Sequence, residues 1–188
     1  MNLIIANRQR TRKINSRQLK EIVGELFSEL KITEAELGIH LVGAKEMARV
    51  NWKYLQHEGS TDVITFDHRE EVGQASCLSS FKNKQRLDRR DACPTTIHGE
   101  LFICVDDAVK QAKEFGTSWQ SEVMRYVVHG VLHLLGYNDL KLALRRVMKR
   151  EENRLVRWLE KIPQGGARRS ARAAANQNAL VGDRKSVV

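Results

Sequence analysis

Val127-Val128-His129-Gly130-Val131-Leu132-His133-Leu134-Leu135-Gly136-Tyr137-Asn138-Asp139 has the pattern of an apolar helix that ends abruptly. His129 and His133 stand four apart, so a helix projects both imidazoles from one face, a turn apart. That spacing suits two nitrogen ligands on one tetrahedral ion, at about 2.0–2.1 Å each. Gly136 follows as a good left-handed helix terminator. Past it the chain can reverse and bring Asp139 back toward the imidazoles. Three protein ligands leave a fourth position open for water, the catalytic rather than the structural kind of zinc site. HxxxH alone is a weak signal, because two histidines among Val and Leu also suit satisfied core positions or a solvated face. The glycine and the later ligand-type residue strengthen it, since they repeat the His-His-Gly-ligand spacing of one class of zinc hydrolases.

Working outward, Thr117-Ser118 opens this helix, with Glu122 in its early turns. Before it, Gly99 to Val105 reads as a strand, and Asp106-Asp107 cap a helix that Gly116 ends after Phe115. Asp62-Val63-Ile64-Thr65-Phe66 is a β-branched run, hence a strand. Nearer the N-terminus, Leu3 to Ala6 is a strand. Asn15-Ser16 caps a helix to Leu30, with Leu19, Ile22, Val23, Leu26, Phe27 and Leu30 at helical spacing. Leu37 to Val42 alternates as a strand, and Ala44 to Tyr54 is a short helix burying Met47, Val50 and Tyr54. On the other side, Leu140 to Lys161 forms a final amphipathic helix, stopped by Pro163. Strands and helices interspersed in this way predict an α/β (α+β) fold. About four strands form a small mixed sheet packed with about five helices, and a zincin-like metal site sits on a helix followed by a glycine turn. Residues 67–98 lose periodicity and read as a flexible insertion within a single domain over 1–162, and 163–188 read as a disordered basic tail.

Composition agrees with one globular domain. The 188 residues, 41 % apolar and 29 % charged, suffice for one core and are too few for two. No apolar run approaches the roughly eighteen residues of a membrane span. The N-terminus turns polar too soon for a signal peptide, so the expected location is the cytoplasm. Cys77, Cys93 and Cys104 form no CxxC pair, against a disulfide framework or a cysteine zinc site. Cys104 reads as a small core residue. The net charge of +9 favours polyanionic partners, above all nucleic acid. Five basic residues against Asp183 put +4 of it in 163–188, which leaves a mild excess of +5 in 1–162.

In HExxH peptidases a Glu after the first His takes a proton from the metal-bound water. Gly130 occupies that position, which disfavours peptidase chemistry in its usual form. A metal alone lowers the pKa of its water to about 7 and polarises a phosphoryl oxygen, which can suffice for an activated substrate. RNA is one, because its 2′-hydroxyl offers an internal nucleophile.

His129-Gly130-Val131-Leu132-His133-Leu134-Leu135-Gly136-Tyr137 resembles the signature of the YbeY family of rRNA maturation factors, bacterial metal-dependent endoribonucleases. Thr61-Asp62-Val63-Ile64-Thr65-Phe66 resembles the family's TDVLSF segment, His98 to Ile103 its LGDIxI strand, and Gln111-Ala112-Lys113-Glu114 its next helix. The likeness runs in order over 1–162. It implies a small α/β fold with one zinc ion per chain in a basic cleft. It also implies cleavage of single-stranded RNA, maturation of the 16S rRNA 3′ end on the small ribosomal subunit, and ribosome quality control. The expected ligands are His129, His133 and Asp139, with catalysis through metal-bound water on the two histidines. The chain departs from the family twice. Asp139 stands where a GYDH ending has His, and Leu55 stands where the family carries Arg after Tyr. Lys53 is a substitute point charge for that Arg. Within the basic run Arg145-Arg146-Val147-Met148-Lys149-Arg150, Arg145 and Arg146 are the leading phosphate contacts.

His57, a loop residue, has no assigned role. His98 precedes a strand, His40 and His68 read as structural or solvated, Tyr137 packs against the helix end, and Trp52, Trp119 and Trp158 read as core or half-buried. Two other functions fit the same residues: a non-catalytic ribosome-assembly factor with a structural metal, and a metal hydrolase acting on another substrate.

Overall fold

The computed structural model describes residues 1–69 and 95–162. The tail 163–188, residues 70–94 of the expected insertion, Cys77 and Cys93 lie outside the described residues. The elements run β1 (Asn2–Asn7), α1 (Ser16–Glu29), β2 (Ile32–Val42), α2 (Ala44–Leu55), β3 (Val63–Asp67), β4 (Thr95–Cys104), α3 (Val105–Phe115), α4 (Trp119–Leu134) and α5 (Leu142–Lys161). Among the described residues this is the α/β fold expected, with five helices and a four-stranded mixed sheet in the order β1-β2-β4-β3. β1, β2 and β4 are parallel, and β3 joins β4 antiparallel, with Val63 opposite Ile103 and Asp67 opposite Gly99.

Alternation along the two central strands sets the layers. Leu37, Ile39 and Leu41 of β2 and Ile97, Leu101 and Ile103 of β4 are buried in one core with Leu26 and Phe27 of α1, Val128 and Val131 of α4, and Leu155 and Leu159 of α5. The opposite face carries a small cluster, Val42, Ile64 and Cys104 under Met47 of α2. Burial pushes the Cys104 thiol up to about 12, which suits the core role expected of it.

Several elements differ from the sequence expectation. β2 begins at Ile32 and β4 at Thr95, so His98 lies within a strand, with its ring 3.7 Å from Glu36 of β2. Asp106 does not cap its own helix. Its carboxylate accepts the Ala44 backbone N–H at 2.7 Å and so closes the N-terminus of α2, whose N-cap, Gly43, has no side chain to do so. Tyr54 is 53 % exposed and Trp52 55 %, so neither belongs to the core. α2 buries only Met47 and Asn51, and in its last turn Tyr54 meets the Phe66 ring edge-on at 4.9 Å.

α4 is the central helix, touching α3, α5, β3 and β4. Its approach to the sheet is set by glycine. A Cβ on Gly130 would lie 2.5 Å from Leu101 Cδ2 and 3.2 Å from Thr65 Oγ1. A Cβ on Gly99 would lie 2.4 Å from the Phe66 carbonyl oxygen and 2.7 Å from Leu134 Cδ2. Position 130 therefore points into the sheet, and a side chain there must displace the fully buried Leu101. Gly130→Ala is expected to cost about 1–3 kcal/mol in urea unfolding, as overpacking of a closed core does. An unchanged midpoint would show that the helix can back away from the sheet at no cost.

Candidate metal centre

His129 and His133 lie in the last two turns of α4, with Nε2 atoms 3.0 Å apart. Each ring is held by its other nitrogen. His129 Nδ1 stands 3.1 Å from Glu152 Oε2, and His133 Nδ1 stands 3.1 Å from the Tyr137 carbonyl oxygen. A carboxylate and a carbonyl only accept, so the network assigns the proton of each neutral ring to Nδ1. Both Nε2 lone pairs then face one another, a repulsive arrangement unless a cation lies between them. Burial disfavours a proton on His133, as does the neighbouring His129, and together they hold its pKa below the usual imidazole range. Two nitrogens bound tetrahedrally to zinc lie about 3.3 Å apart, close to the spacing here. One ligand atom from each of His129, His133 and Asp139 lies within 4.8 Å of the others. The donor set therefore fits a divalent ion.

Local sequence builds this geometry. Gly136 takes φ +85°, its N–H bonds the His133 carbonyl at 2.8 Å, and the Tyr137 N–H bonds the Leu132 carbonyl at 3.0 Å. This glycine-terminated helix end leaves the Tyr137 carbonyl facing His133. Asn138 Oδ1 then accepts the Leu140 N–H at 2.7 Å, a local turn that reverses the chain at Asp139. Arg145 Nε donates to the Asp139 carbonyl at 3.0 Å and ties the returning segment to α5.

Glu152 was not legible as a site residue. It is 3 % exposed and takes bonds from His129, from Arg125 at 2.8 Å and from Lys149 at 2.9 Å. Burial alone would raise its pKa. The bonds from His129, Lys149 and Arg125 outweigh that and hold it down at about 2. Its stabilisation is therefore complete above the unfolded value of 4.5 and is lost as the pH falls toward 2. It lies 23 residues beyond His129 on another helix, so no local spacing links the two. Arg125 did carry a signal, because 125, 129 and 133 share one helix face.

A cavity of about 450 Å³ opens beside His129 and Asp139, and Asp62, Arg125, Arg145 and Lys149 share its wall. Of the expected phosphate contacts, Arg145 is on this wall and Arg146 and Lys53 are not. The Lys53 ammonium sits 4.9 Å from the Tyr54 ring centroid instead. Leu55 is 49 % exposed at the end of α2, and His57 is exposed and off the wall. Gly130 faces the sheet, so even a glutamate there would point away from the histidine nitrogens. Among the remaining residues, His40 stacks on Phe102 at 4.5 Å, and His68 is exposed near Glu100. Tyr137, Trp119 and Trp158 pack half-buried against the main core.

Fold and site together define an α/β protein with a His-His-Asp group that could hold a metal ion at the end of its central helix. Residues 4–160 match the family model described as Endoribonuclease YbeY, and the chain belongs to that family. A relative of that name from Frankia alni is 30 % identical over 93 % of this chain and 92 % of its own. One from Geobacter metallireducens is 29 % identical over 86 % of this chain and 97 % of its own. A solution structure of a Thermotoga maritima protein shares the fold at a TM-score of 0.56 and 21 % identity, over 84 % of this chain and 88 % of that one.

Two outcomes are expected from metal analysis of purified variants. Asp139→Ala loses the ion while Asp139→His retains it, and equal metal in wild type and Asp139→Ala would remove Asp139 from the ligand set. Glu152→Gln weakens metal affinity by roughly tenfold or more in chelator competition, as loss of a ligand-orienting carboxylate does. Wild-type affinity in that variant would show that Glu152 serves only to join the helices.

Proposed function

We propose that residues 1–162 form a zinc-dependent endoribonuclease that cuts single-stranded RNA, with one ion held by His129, His133 and Asp139. The observation that carries this reading is the convergence of two imidazole lone pairs and a carboxylate beside a cavity edged by Arg125, Arg145 and Lys149. Family membership supports RNA as the substrate class. Maturation of the 16S rRNA 3′ end on the small ribosomal subunit, in the cytoplasm, is the cellular role proposed with it. Among the described residues no helix is long and apolar enough to cross a membrane.

A divalent ion, when bound, supplies Lewis-acid polarisation of a phosphoryl oxygen. The chain's own residues do the rest. Glu152 and the Tyr137 carbonyl fix both imidazoles with Nε2 outward, so no reorganisation is needed as a ligand arrives. Arg145 keeps its two terminal amino groups for a phosphate, because Nε is committed to Asp139. Lys149 and Arg125 add positive potential while neutralising Glu152. Asp139 brings a negative charge where His would bring none, which weakens the ion as a Lewis acid and admits harder cations such as manganese.

One observation favours the assembly-factor reading. Leu55, where the resemblance places an arginine, offers no phosphate fork at the end of α2. A single-stranded RNA cleavage assay separates the two. The nuclease reading expects cleavage that zinc supports, that a chelator stops, and that His133→Ala lowers by about a hundredfold or more. Cleavage unchanged in His133→Ala, or absent from zinc-loaded wild type, leaves the assembly factor.

A further inference from the structure

The outward side of α5 carries a charge pattern that neither the metal site nor the core explains. Met148, Glu152, Leu155, Val156 and Leu159 are its buried positions. Away from them, Arg146, Arg150, Arg157 and Lys161 are exposed, and spacings of four, seven and four residues put them along one side of the helix. They extend over about 22 Å of its axis. None of these cations makes an ion pair among the described residues. Arg154 beside them is paired, with Glu29 at 2.7 Å and Glu151 at 2.9 Å. The other carboxylates of the helix are engaged too, Glu152 in the junction with α4 and Glu160 by the Ser121 hydroxyl.

Stability does not account for such a stripe. Like charges four apart, as at Arg146 and Arg150 or at Arg157 and Lys161, weaken a helix rather than support it. A groove of about 700 Å³ lies beside them, lined by Arg150, Asn153, Arg154, Arg157, Trp158 and Lys161. Among the described residues no carboxylate is on that wall. Asn153 accepts from Arg125 through Oδ1, which leaves its amide hydrogens to donate. Trp158 adds aromatic surface on which a base of any identity can rest. Lys149 is on the wall of the metal cavity and Arg150, next in sequence, on the wall of the groove, so one helix edges both.

We infer that Arg150, Arg157 and Lys161, with Arg146 at the near end, form a phosphate track that holds the part of an RNA strand lying outside the metal cavity. The inference rests on the endoribonuclease reading for its substrate class. Phosphate contacts from exposed cations carry no sequence information, and they add affinity through released counterions. The track therefore lengthens the bound strand without choosing its bases, and it favours long strands over short ones. Arg146, off the cavity wall, becomes a phosphate contact of the track instead.

Binding of oligouridine to the zinc-loaded full chain is measured by fluorescence anisotropy over a range of salt, in the cold, with strand integrity checked on a gel. Two lengths are used, about six nucleotides, which the cavity alone can engage, and about twenty-four, which reach the track. Neutralising Arg150→Gln, Arg157→Gln and Lys161→Gln together weakens long-strand binding by about tenfold or more at low salt. It also flattens the slope of log affinity against log salt by about 2, at about 0.7 per phosphate contact in a single strand. Short-strand binding stays within about twofold, and Tm does not fall, because like-charge crowding is relieved. Arg150→Lys with Arg157→Lys keeps the slope. An unchanged long-strand slope in the neutralised protein overturns the track, and so does an equal loss on both lengths. Tighter binding to vesicles of anionic phospholipid than to the long RNA overturns it in favour of a membrane surface. The two readings fail separately. A long-strand slope that depends on these cations, without cleavage, sinks the nuclease and keeps the track, while cleavage with an unchanged slope does the reverse.

Discussion

The close seating of α4 on β3 and β4 is the constraint from which the rest of the molecule follows. Gly130 brings the helix against Leu101 and Thr65, and Gly99 lets Leu134 and the Phe66 carbonyl meet over β4. With the helix held this near, its other faces are left for α3 and α5, and one stripe of Arg125, His129 and His133 turns toward the gap between α4 and α5. The residue after the first histidine is thus packing material here. The fold has no room for a glutamate at 130, so no carboxylate follows the first histidine.

Charge balance in that gap is the second organising feature. Glu152, buried on α5, is shared by Arg125, Lys149 and His129. A buried carboxylate with fewer partners would be costly, and with these three it stays ionised. The same contact that neutralises it aims His129 Nε2 outward, so the helix–helix junction and the orientation of a candidate metal ligand are one interaction. Tyr137 does the equivalent for His133 through a backbone carbonyl, which any residue at 137 would supply. The glycine turn that places that carbonyl is the requirement.

The cavity beside this junction draws on several elements. Arg125 and His129 of α4 and Arg145 and Lys149 of α5 line it together with Asp62, just ahead of β3, and Gln111 of α3.

Local pattern was enough for the helix with its two histidines, the terminating Gly136, the alternating strands and the helix cap at Asn15, because each depends on neighbours within about four residues. The family likeness was legible in the same segments. Strand ends were less so: β2 and β4 extend well before the apolar alternation, to Ile32 paired with Thr95 across an irregularity before Glu34. Asp106 read as a cap for its own helix and proved to cap α2, a choice made by where two distant elements meet. Lys53 and Arg146 share the charge of Arg145 but not its place on the cavity wall, and charge in a sequence carries no direction. Glu152 and His129 come from separate helices, and only packing brings them together. The sequence alone determined which side chains could hold an ion. Tertiary structure decided which partners orient them and what the substrate meets beside them, because those contacts join residues that no local periodicity relates.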